Sequence, residues 1–404
     1  MPAKQSRQIE LKFYCYYKGK ENGMIYLNNS STTKPTNEVL QDFMWCTKNC
    51  WANPSDISTD GIRAKQIIKR AQEQIANYIG AKPNEIIFTS GASESNNWAI
   101  KGYVDRYPGV KNIITTEIEH PSVYNTCKYL KNKGYNVKYA PIDETGQVMV
   151  NKLESLIGDN NLLYPLTSIM MANNEIGTVN TITAIAEIIH NYGGILHVDA
   201  VQAFEHIPIN VEKMGIDMMS VSFHKFGGFK NCGFLYIKEG INLTPLIHGG
   251  HQFDGRRAGT ENVPMIYAMG NQVERINNKY YPLGTIRNYL YDKIYELCYD
   301  LDVELRANGS FLWRLPHLLS LTFKGFSAEA LITLLDMQGI CVSAGSACSS
   351  GTKTPSRILK AIGLSDEDAF STIRISVGED TTIEECDVFV KTLRECLESL
   401  KMIE

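Results

Sequence analysis

The chain has 404 residues, and its 40 Lys and Arg against 44 Asp and Glu give a formal net charge of −4. With 44% hydrophobic and 21% charged residues, its composition is that of a globular protein, which excludes a disordered or fibrous chain. The length predicts two or three domains. The near balance of charge lacks the basic footprint of a nucleic-acid binder, so we expect no nucleic acid among its partners.

The first 22 residues carry several lysines but no apolar segment of the kind that a signal peptide needs, and we interpret them as an N-terminal extension, such as an added edge strand. No later stretch approaches the ~20 apolar residues of a membrane span. Ten cysteines are too few for a disulfide scaffold, and none stands in a C-x-x-C pair. We therefore expect a protein of the reducing cytoplasm that has no contact with a membrane.

From Met24 onward, short β-rich runs alternate with helical patterns, which predicts βαβ units around a mostly parallel sheet. Most of the runs are apolar throughout, as expected where helices cover both faces of a sheet. The predicted strands are 86–89, 112–115, 168–171, 195–198, 218–221 and 233–237, and helices are predicted at 62–79, 93–106, 121–132 and 182–192. The fold class is α/β.

After Pro282 the pattern changes. The sequence predicts helices at 285–300, 327–337 and 382–401 and a strand pair near 303–306 and 318–323. We therefore expect a large domain at 35–281 and a smaller α+β domain formed by 23–34 and 282–404.

The signatures of P-loop nucleotide binding, dinucleotide binding, zinc proteases and α/β-hydrolases are absent. His248 and His251 could share an ion, but nothing nearby supplies a suitable third ligand, so we expect no metal.

Four local patterns carry possible chemistry. The first predicted strand runs into small residues that open a helix at 90–95, where backbone N–H groups and hydroxyls favour a phosphate, although a capping box would explain the same residues. Asp199 ends another strand, at the edge where open α/β sheets bind ligands, and the alternative is a plain helix cap.

Ser222, His224 and Lys225 end the next strand, and a lysine in such a pocket can bond covalently to a carbonyl, although a single lysine is more often simply exposed. An anion site, a carboxylate and an amine together match the needs of pyridoxal 5′-phosphate.

Cys348 lies within 343–352, a stretch that contains no large side chain. Free cysteines are usually buried and inert, but this composition predicts an accessible thiol on a mobile loop. We identify Cys348 as the candidate nucleophile.

With these motifs, residues 24–400 resemble the pyridoxal-phosphate cysteine desulfurases of the nitrogen-fixation and iron–sulfur-cluster type, which have the class V aminotransferase fold (fold type I). The motifs are TSGASESN at 89–96, EHPSV at 119–123, NNEIG at 173–177, HVDAVQ at 197–202, SFHK at 222–225, RAGTEN at 257–262, GSAC at 345–348 and IRIS at 373–376.

The resemblance implies a role for each site residue. Lys225 would hold the cofactor and later move protons, and Cys348 would attack the sulfur of the substrate. His120 would stack on the cofactor ring, Asp199 would pair with its pyridinium nitrogen, and Gln202 would bond its phenolic oxygen. The phosphate site would comprise Ala92, Ser93, Ser222, His224 and, from a second subunit, Thr260. Arg374 and Asn174 would bind the substrate carboxylate, Asn174 lying against the cofactor as well.

The implied function is conversion of L-cysteine to L-alanine by a homodimer, with a persulfide on Cys348 that passes sulfur to an acceptor such as an iron–sulfur scaffold protein. The spacing from Cys348 to Pro355 is similar to that of the longer-loop members, which feed scaffolds directly. A selenocysteine lyase, another class V lyase and a non-catalytic binding platform remain alternatives. Departures from the family pattern occur at Asn28, Ser58, Phe229, Asn231, His251 and Phe253. Those at Phe229 and Asn231 are expected to loosen the turn after Lys225.

Overall fold

The computed structural model describes residues 23–276, 282–344 and 354–402. The strands in these ranges are β1 (Ile25–Tyr26), β2 (Ile86–Thr89), β3 (Asn112–Thr115), β4 (Asn136–Tyr139), β5 (Leu166–Met170), β6 (Ile195–Asp199), β7 (Met218–Ser222), β8 (Gly233–Ile237), β9 (Leu305–Ala307), β10 (Leu318–Phe323), β11 (Ile340–Cys341), β12 (Ser343–Ala344) and β13 (Thr372–Ser376).

The α-helices of the same ranges are Asn37–Asn49, Thr59–Ile79, Ala92–Asn97, Tyr103–Arg106, Pro121–Asn132, Val150–Asp159, Ile182–Asn191, Val263–Ile276, Leu283–Asp300, Ala328–Met337, Arg357–Ala361, Asp366–Phe370 and Ile383–Lys401. Shorter helical turns lie at Pro83–Glu85, Trp98–Gly102, Phe223–Lys225 and Gln252–Gly255.

A seven-stranded sheet with the order β2-β8-β7-β6-β5-β3-β4 forms the larger layer. β8 runs antiparallel to β2 and β7, and the other pairings in this sheet are parallel. Every residue of β2, β5, β7 and β8 is buried, as expected for strands covered by helices on both faces. The predicted α/β fold with a mostly parallel sheet is confirmed.

Several predicted elements differ from the structure: the helix predicted at 62–79 begins at Thr59, and the strand predicted near 303–306 covers Leu305–Ala307. β5 covers Leu166–Met170 rather than 168–171. The helix predicted at 93–106 is interrupted by a π-helical turn at Trp98–Gly102. Trp98, Ala99 and Ile100 are all buried, so this segment has no amphipathic period from which a break could be predicted.

A second sheet with the order β12-β13-β10-β9 is antiparallel, and β1 pairs in parallel with β11. A separate hydrophobic cluster combines Leu27 with buried side chains from Leu283 to Leu397. This cluster supports the predicted division into domains, whose boundaries remain a prediction.

Across the described ranges, no helix is both long and apolar enough to cross a bilayer. Within the same ranges, no three His, Cys, Asp or Glu side chains are grouped so that they could hold a metal ion.

Candidate active site

A cavity of about 940 Å³ opens at the carboxyl ends of β5, β6 and β7. Its volume is in the range of sites that enclose a cofactor or a substrate. The predicted site residues that line it are Ala92, Ser93, His120, Asn174, Asp199, Gln202, Ser222, His224, Lys225 and Arg374. Thr260 is exposed and does not line this cavity, and Cys348 lies outside the described residues.

Asp199 is the last residue of β6 and is buried. The side-chain amide of Asn96 donates to Asp199 Oδ2 at 2.8 Å, and the backbone N–H of Val201 donates to Oδ1 at 3.1 Å. The same amide donates to Ser122 Oγ at 2.8 Å. Asn96 therefore joins the candidate carboxylate to the segment that carries His120, a role that the sequence did not reveal.

His120 caps the helix Pro121–Asn132. Its Nδ1 accepts from the backbone N–H of Ser122 at 3.2 Å and lies 2.8 Å from Ser122 Oγ. Burial lowers the pKa of His120, the charge of Asp199 opposes this, and the charge of Lys225 adds to it. The ring is therefore neutral at pH 7 with its proton on Nε2, and both Asp199 and Lys225 are near enough to act on it.

Lys225 follows β7 in the helical turn Phe223–Lys225. Its Nζ donates to the backbone carbonyls of Ser30 and Ser31, at 2.7 Å each. The neighbouring His224 has Nδ1 at 3.1 Å from Thr32 Oγ1. Burial lowers the pKa of His224 to about 4, and the charges of Lys225 and Lys230 also lower it.

The turn after Lys225 is ordered in spite of its departures from the family pattern. Asn231 has a φ of 57°, in the left-handed region that asparagine tolerates better than most side chains. The ring of Phe229 lies 4.9 Å from that of Phe43 and 6.3 Å from that of Phe223. The ring of Phe229 thus packs against two neighbouring rings, and the loosening of this turn stays a prediction.

The loop that precedes the helix Ala92–Asn97 approaches β8 closely. Gly91 has a φ of 133°, and a Cβ on Gly233 would come within 2.9 Å of the Gly91 Cα. The Glu94 carboxylate accepts from the backbone N–H of Ser90 at 2.7 Å, so the local capping bond is present. The same carboxylate forms an ion pair with Arg257, with Nε to Oε1 at 2.9 Å and Nη2 to Oε2 at 3.2 Å.

Arg374 reaches the cavity from β13 and is buried. Its guanidinium donates to the backbone carbonyl of Asn174 at 2.7 Å, to Asn28 Oδ1 at 3.0 Å and to Ser31 Oγ at 2.5 Å. Asn174 Oδ1 is buried and has no hydrogen-bond partner among the described residues. The cavity thus combines a fixed guanidinium with a polar atom that is available to a ligand.

Two buried acids beside the cavity had no assigned role. Burial raises the pKa of Glu119 to about 8, although its carboxylate accepts from Thr116 Oγ1 at 2.6 Å and from the Met170 N–H at 3.1 Å. Burial also raises the pKa of Glu175. Nothing in the local sequence marks either residue as buried, because their surroundings come from distant segments.

The fold and this cavity define a member of the class V aminotransferase family. The model of that family, described as Aminotransferase class-V, matches residues 25–389, and the chain belongs to it.

Within the family, the relatives that this chain resembles are cysteine desulfurases. It is 40% identical over 384 residues to the cysteine desulfurase IscS of Methanosarcina thermophila, with 94% of each chain covered. A solved NifS-like protein has a TM-score of 0.84 at 35% identity, covering 93% of this chain and 99% of its own. A structure of SspA in complex with cysteine has a TM-score of 0.77 at 34% identity, covering 89% and 100%.

Proposed function

We propose that the chain is a pyridoxal-phosphate-dependent cysteine desulfurase. It converts L-cysteine to L-alanine and transfers the sulfur, as a persulfide on Cys348, to an acceptor for iron–sulfur cluster or thio-cofactor assembly. The observation that carries the proposal is the convergence of Lys225, Asp199 and Arg374 on one cavity. Relatives at 38–40% identity over nearly the whole chain carry the name cysteine desulfurase.

The residues of the cavity fit pyridoxal phosphate. Asp199 offers a carboxylate for a protonated ring nitrogen, His120 offers a neutral ring face, and Ser93, Ser222 and His224 offer hydrogen-bond donors for a phosphate. The lining side chains of Lys225, Lys230, Arg357 and Arg374 give the cavity a cationic character that suits a phosphate and a carboxylate. When bound, the cofactor supplies an electron sink for the Cα of an amino acid.

The protein's own side chains bind and orient the substrate. Arg374 holds the substrate carboxylate through its guanidinium, and the side-chain NH2 of Asn174, which also lines the cavity, donates a further hydrogen bond to it. Lys225 Nζ holds the cofactor and carries protons to and from the substrate carbon. The Cys348 thiolate attacks the substrate sulfur, so that an S–S bond forms and the Cβ–S bond of the substrate breaks. The β-carbon takes up a proton to give alanine, and the persulfide stays on Cys348.

A lysine variant tests the cofactor site. Purified protein should be yellow, and Lys225→Ala should abolish the visible absorption, whereas Lys213→Ala on the exposed surface should keep it. A colourless wild type after incubation with pyridoxal phosphate would refute the proposal.

A cysteine variant tests the nucleophile. Cys348→Ser should keep the absorption but lose sulfide and alanine production from cysteine, while Cys396→Ser, at a buried thiol of the C-terminal helix, should keep both. Unchanged turnover in Cys348→Ser would favour a selenocysteine lyase or another class V lyase. Coloured protein that never forms a persulfide on Cys348 would favour a binding platform.

We also propose that the working enzyme is a homodimer in which Thr260 completes the partner's phosphate site. Thr260 is exposed just before the helix Val263–Ile276, and that helix packs on Asn37–Asn49, which exposes Leu40, Met44 and Trp45. Co-expression of Lys225→Ala with Thr260→Glu should restore activity through one intact site of a mixed dimer. If both inactive variants stay inactive when they are combined, Thr260 does not act across an interface.

The cytoplasm is the compartment that suits this activity. The eight cysteines of the described residues are all free thiols, which supports a reducing environment.

A further inference from the structure

The backbone carbonyl of Ser30 is a shared acceptor beside the cavity. It receives Lys225 Nζ at 2.7 Å and the Gln202 side-chain amide at 2.9 Å. Ser30 is 2% exposed, and its own N–H donates to Ser376 Oγ at 2.9 Å. The Ser30 carbonyl, together with that of Ser31, therefore positions the amine of Lys225.

His317 holds the side chain of Ser30. His317 Nε2 lies 3.1 Å from Ser30 Oγ, and the imidazole, 2% exposed, stacks on that of His206 with ring centres 4.0 Å apart. Both rings line a second cavity of about 820 Å³, and Lys225 lines this cavity as well as the first. The lysine thus lies between the two cavities, next to the segment that His317 supports.

The tautomer of His317 follows from its surroundings. Burial keeps the pKa of His317 well below its usual value, and the charges near it, from Arg374, Arg287 and Lys225, act in the same direction. Nδ1 is buried and has no hydrogen-bond partner among the described residues. An unpaired buried N–H costs more than an unpaired lone pair on the same ring, so the proton lies on Nε2 and is donated to Ser30 Oγ.

We propose that His317 is a positioning residue that acts through Ser30 to fix the resting place of the Lys225 amine. The inference rests on the proposed function, in which the Lys225 amine would hold the cofactor and would carry protons to and from the substrate carbon, so that it must be kept nearby. The carbonyls of Ser30 and Ser31 accept hydrogen bonds from that amine. The His317–Ser30 bond keeps the Ser30 carbonyl in the position where it can accept from Lys225 Nζ. His317 itself touches neither the cofactor nor the substrate.

A double-mutant cycle separates this role from a purely structural one. Ser30→Ala removes the hydroxyl but keeps the carbonyl, and His317→Leu removes the donor. Each should lower kcat about five- to tenfold, the equivalent of one hydrogen bond, and leave the KM for cysteine within about twofold. Because both changes break the same link, the double variant should be no slower than either single one. Effects on kcat that add in the double variant would refute the proposal.

A second measurement does not depend on turnover. In the full-length chain from which bound cofactor has been removed, the labelling rate of Lys225 by an amine-reactive reagent, measured by peptide mass spectrometry, should rise about fivefold in Ser30→Ala and His317→Leu. Lys230 in the same peptide map is the internal control and should not change. In His317→Gln, which keeps an N–H at a comparable reach, Lys225 should be labelled as slowly as in wild type.

His190→Asn is the matched control for the loss of a histidine hydrogen bond, because His190 Nε2 bonds Asp217 Oδ2 at 2.7 Å, outside both cavities. It should change folding stability without changing the labelling of Lys225. If the wild type becomes coloured with pyridoxal phosphate but Lys225 is labelled at equal rates in wild type, Ser30→Ala and His317→Leu, the positioning role is refuted. A wild type that never acquires colour would instead refute the proposed function.

Discussion

At the scale of single residues, Asn96 illustrates how a short polar side chain can connect the site. Its amide reaches both Asp199 and Ser122, and Asn96 Oδ1 has no partner among the described residues. Replacing it removes a hydrogen bond to a buried carboxylate, a type of bond worth about 1.5–3 kcal/mol.

We expect Asn96→Ala to lower kcat/KM for cysteine about 10- to 100-fold, because Asp199 loses the donor that holds its carboxylate. Steady-state kinetics would measure this. The exposed Asn136→Ala should match wild type, and an equal kcat/KM in Asn96→Ala would show that Asp199 is held in place without this bond.

Arg374→Lys should raise the KM for cysteine about tenfold or more, because an ammonium cannot reproduce the planar fork of a guanidinium toward a carboxylate. Competitive inhibition by alanine should weaken in parallel, since alanine keeps the carboxylate. A variant with unchanged KM and unchanged alanine inhibition would place the carboxylate elsewhere.

The residues that could be predicted from sequence share one property. Asp199 and Lys225 follow apolar strands, so their chain position alone places them at the edge of the sheet where the strands end. The burial of Glu119 and Glu175 could not be predicted from the sequence, because their burial and raised pKa values depend on side chains far away in the sequence. Asn96 was visible in a motif, but its partner Asp199 lies on another element.

At the scale of elements, the ion pair between Glu94 and Arg257 ties the loop at 90–94 to the segment that carries Thr260. Burial by itself raises the pKa of Glu94, but the hydrogen bonds from Arg257 and Ser90 outweigh it and lower the pKa. Both side chains are largely shielded, with relative exposures of 8% for Glu94 and 19% for Arg257.

We expect Arg257→Ala to weaken pyridoxal phosphate binding about tenfold, because the carboxylate of Glu94 is left unpaired near the proposed phosphate site. A titration followed by visible absorption would give the dissociation constant. Arg394→Ala removes an exposed partner of Asp300 and should not alter it. Retention of wild-type affinity in Arg257→Ala would separate this ion pair from the cofactor.

Buried apolar strands of four or more residues were predicted, as in β2, β3 and β7, and the shorter β9 was predicted near 303–306. The four-residue β4, which is only partly buried, was not predicted. The two-residue strands β1, β11 and β12 were not, because two residues are too few to show a period. β1 and β12 nevertheless adjoin Arg374, since β1 leads towards Asn28, which accepts from its guanidinium, and β12 pairs with its backbone.

At the scale of the whole molecule, buried neutral histidines make the protein sensitive to acid. Burial lowers the pKa of His197 to about 3, whereas the same group in an unfolded chain titrates near 6.5. Below pH ~6.5 the unfolded chain binds this proton and the native one does not, so the stability that neutral His197 contributes above that pH is lost as the pH falls.

The free energy of unfolding should therefore fall by about 1.4 kcal/mol per pH unit for each such histidine between pH 6 and 4. The raised pKa of Glu119 acts in the opposite direction, because the native chain keeps that proton up to about pH 8. In urea unfolding, the free energy of unfolding of His197→Gln should fall less steeply with decreasing pH than that of wild type. The exposed His248→Asn should follow wild type. If the free energy of unfolding falls equally steeply with pH in wild type and His197→Gln, this prediction is wrong.

The hydrogen bond from Arg374 to Ser31 closes a loop of 343 residues, and the bond from Lys225 to Ser31 closes one of 194. Contacts that span so much of a chain form late during folding, because the entropy of closing the loop is lost before the contact returns any energy. A nascent or partly refolded chain therefore lacks the complete cavity that would bind pyridoxal phosphate. In a refolding time course, colour should appear together with the slowest phase, well after the bulk of the helical signal has recovered.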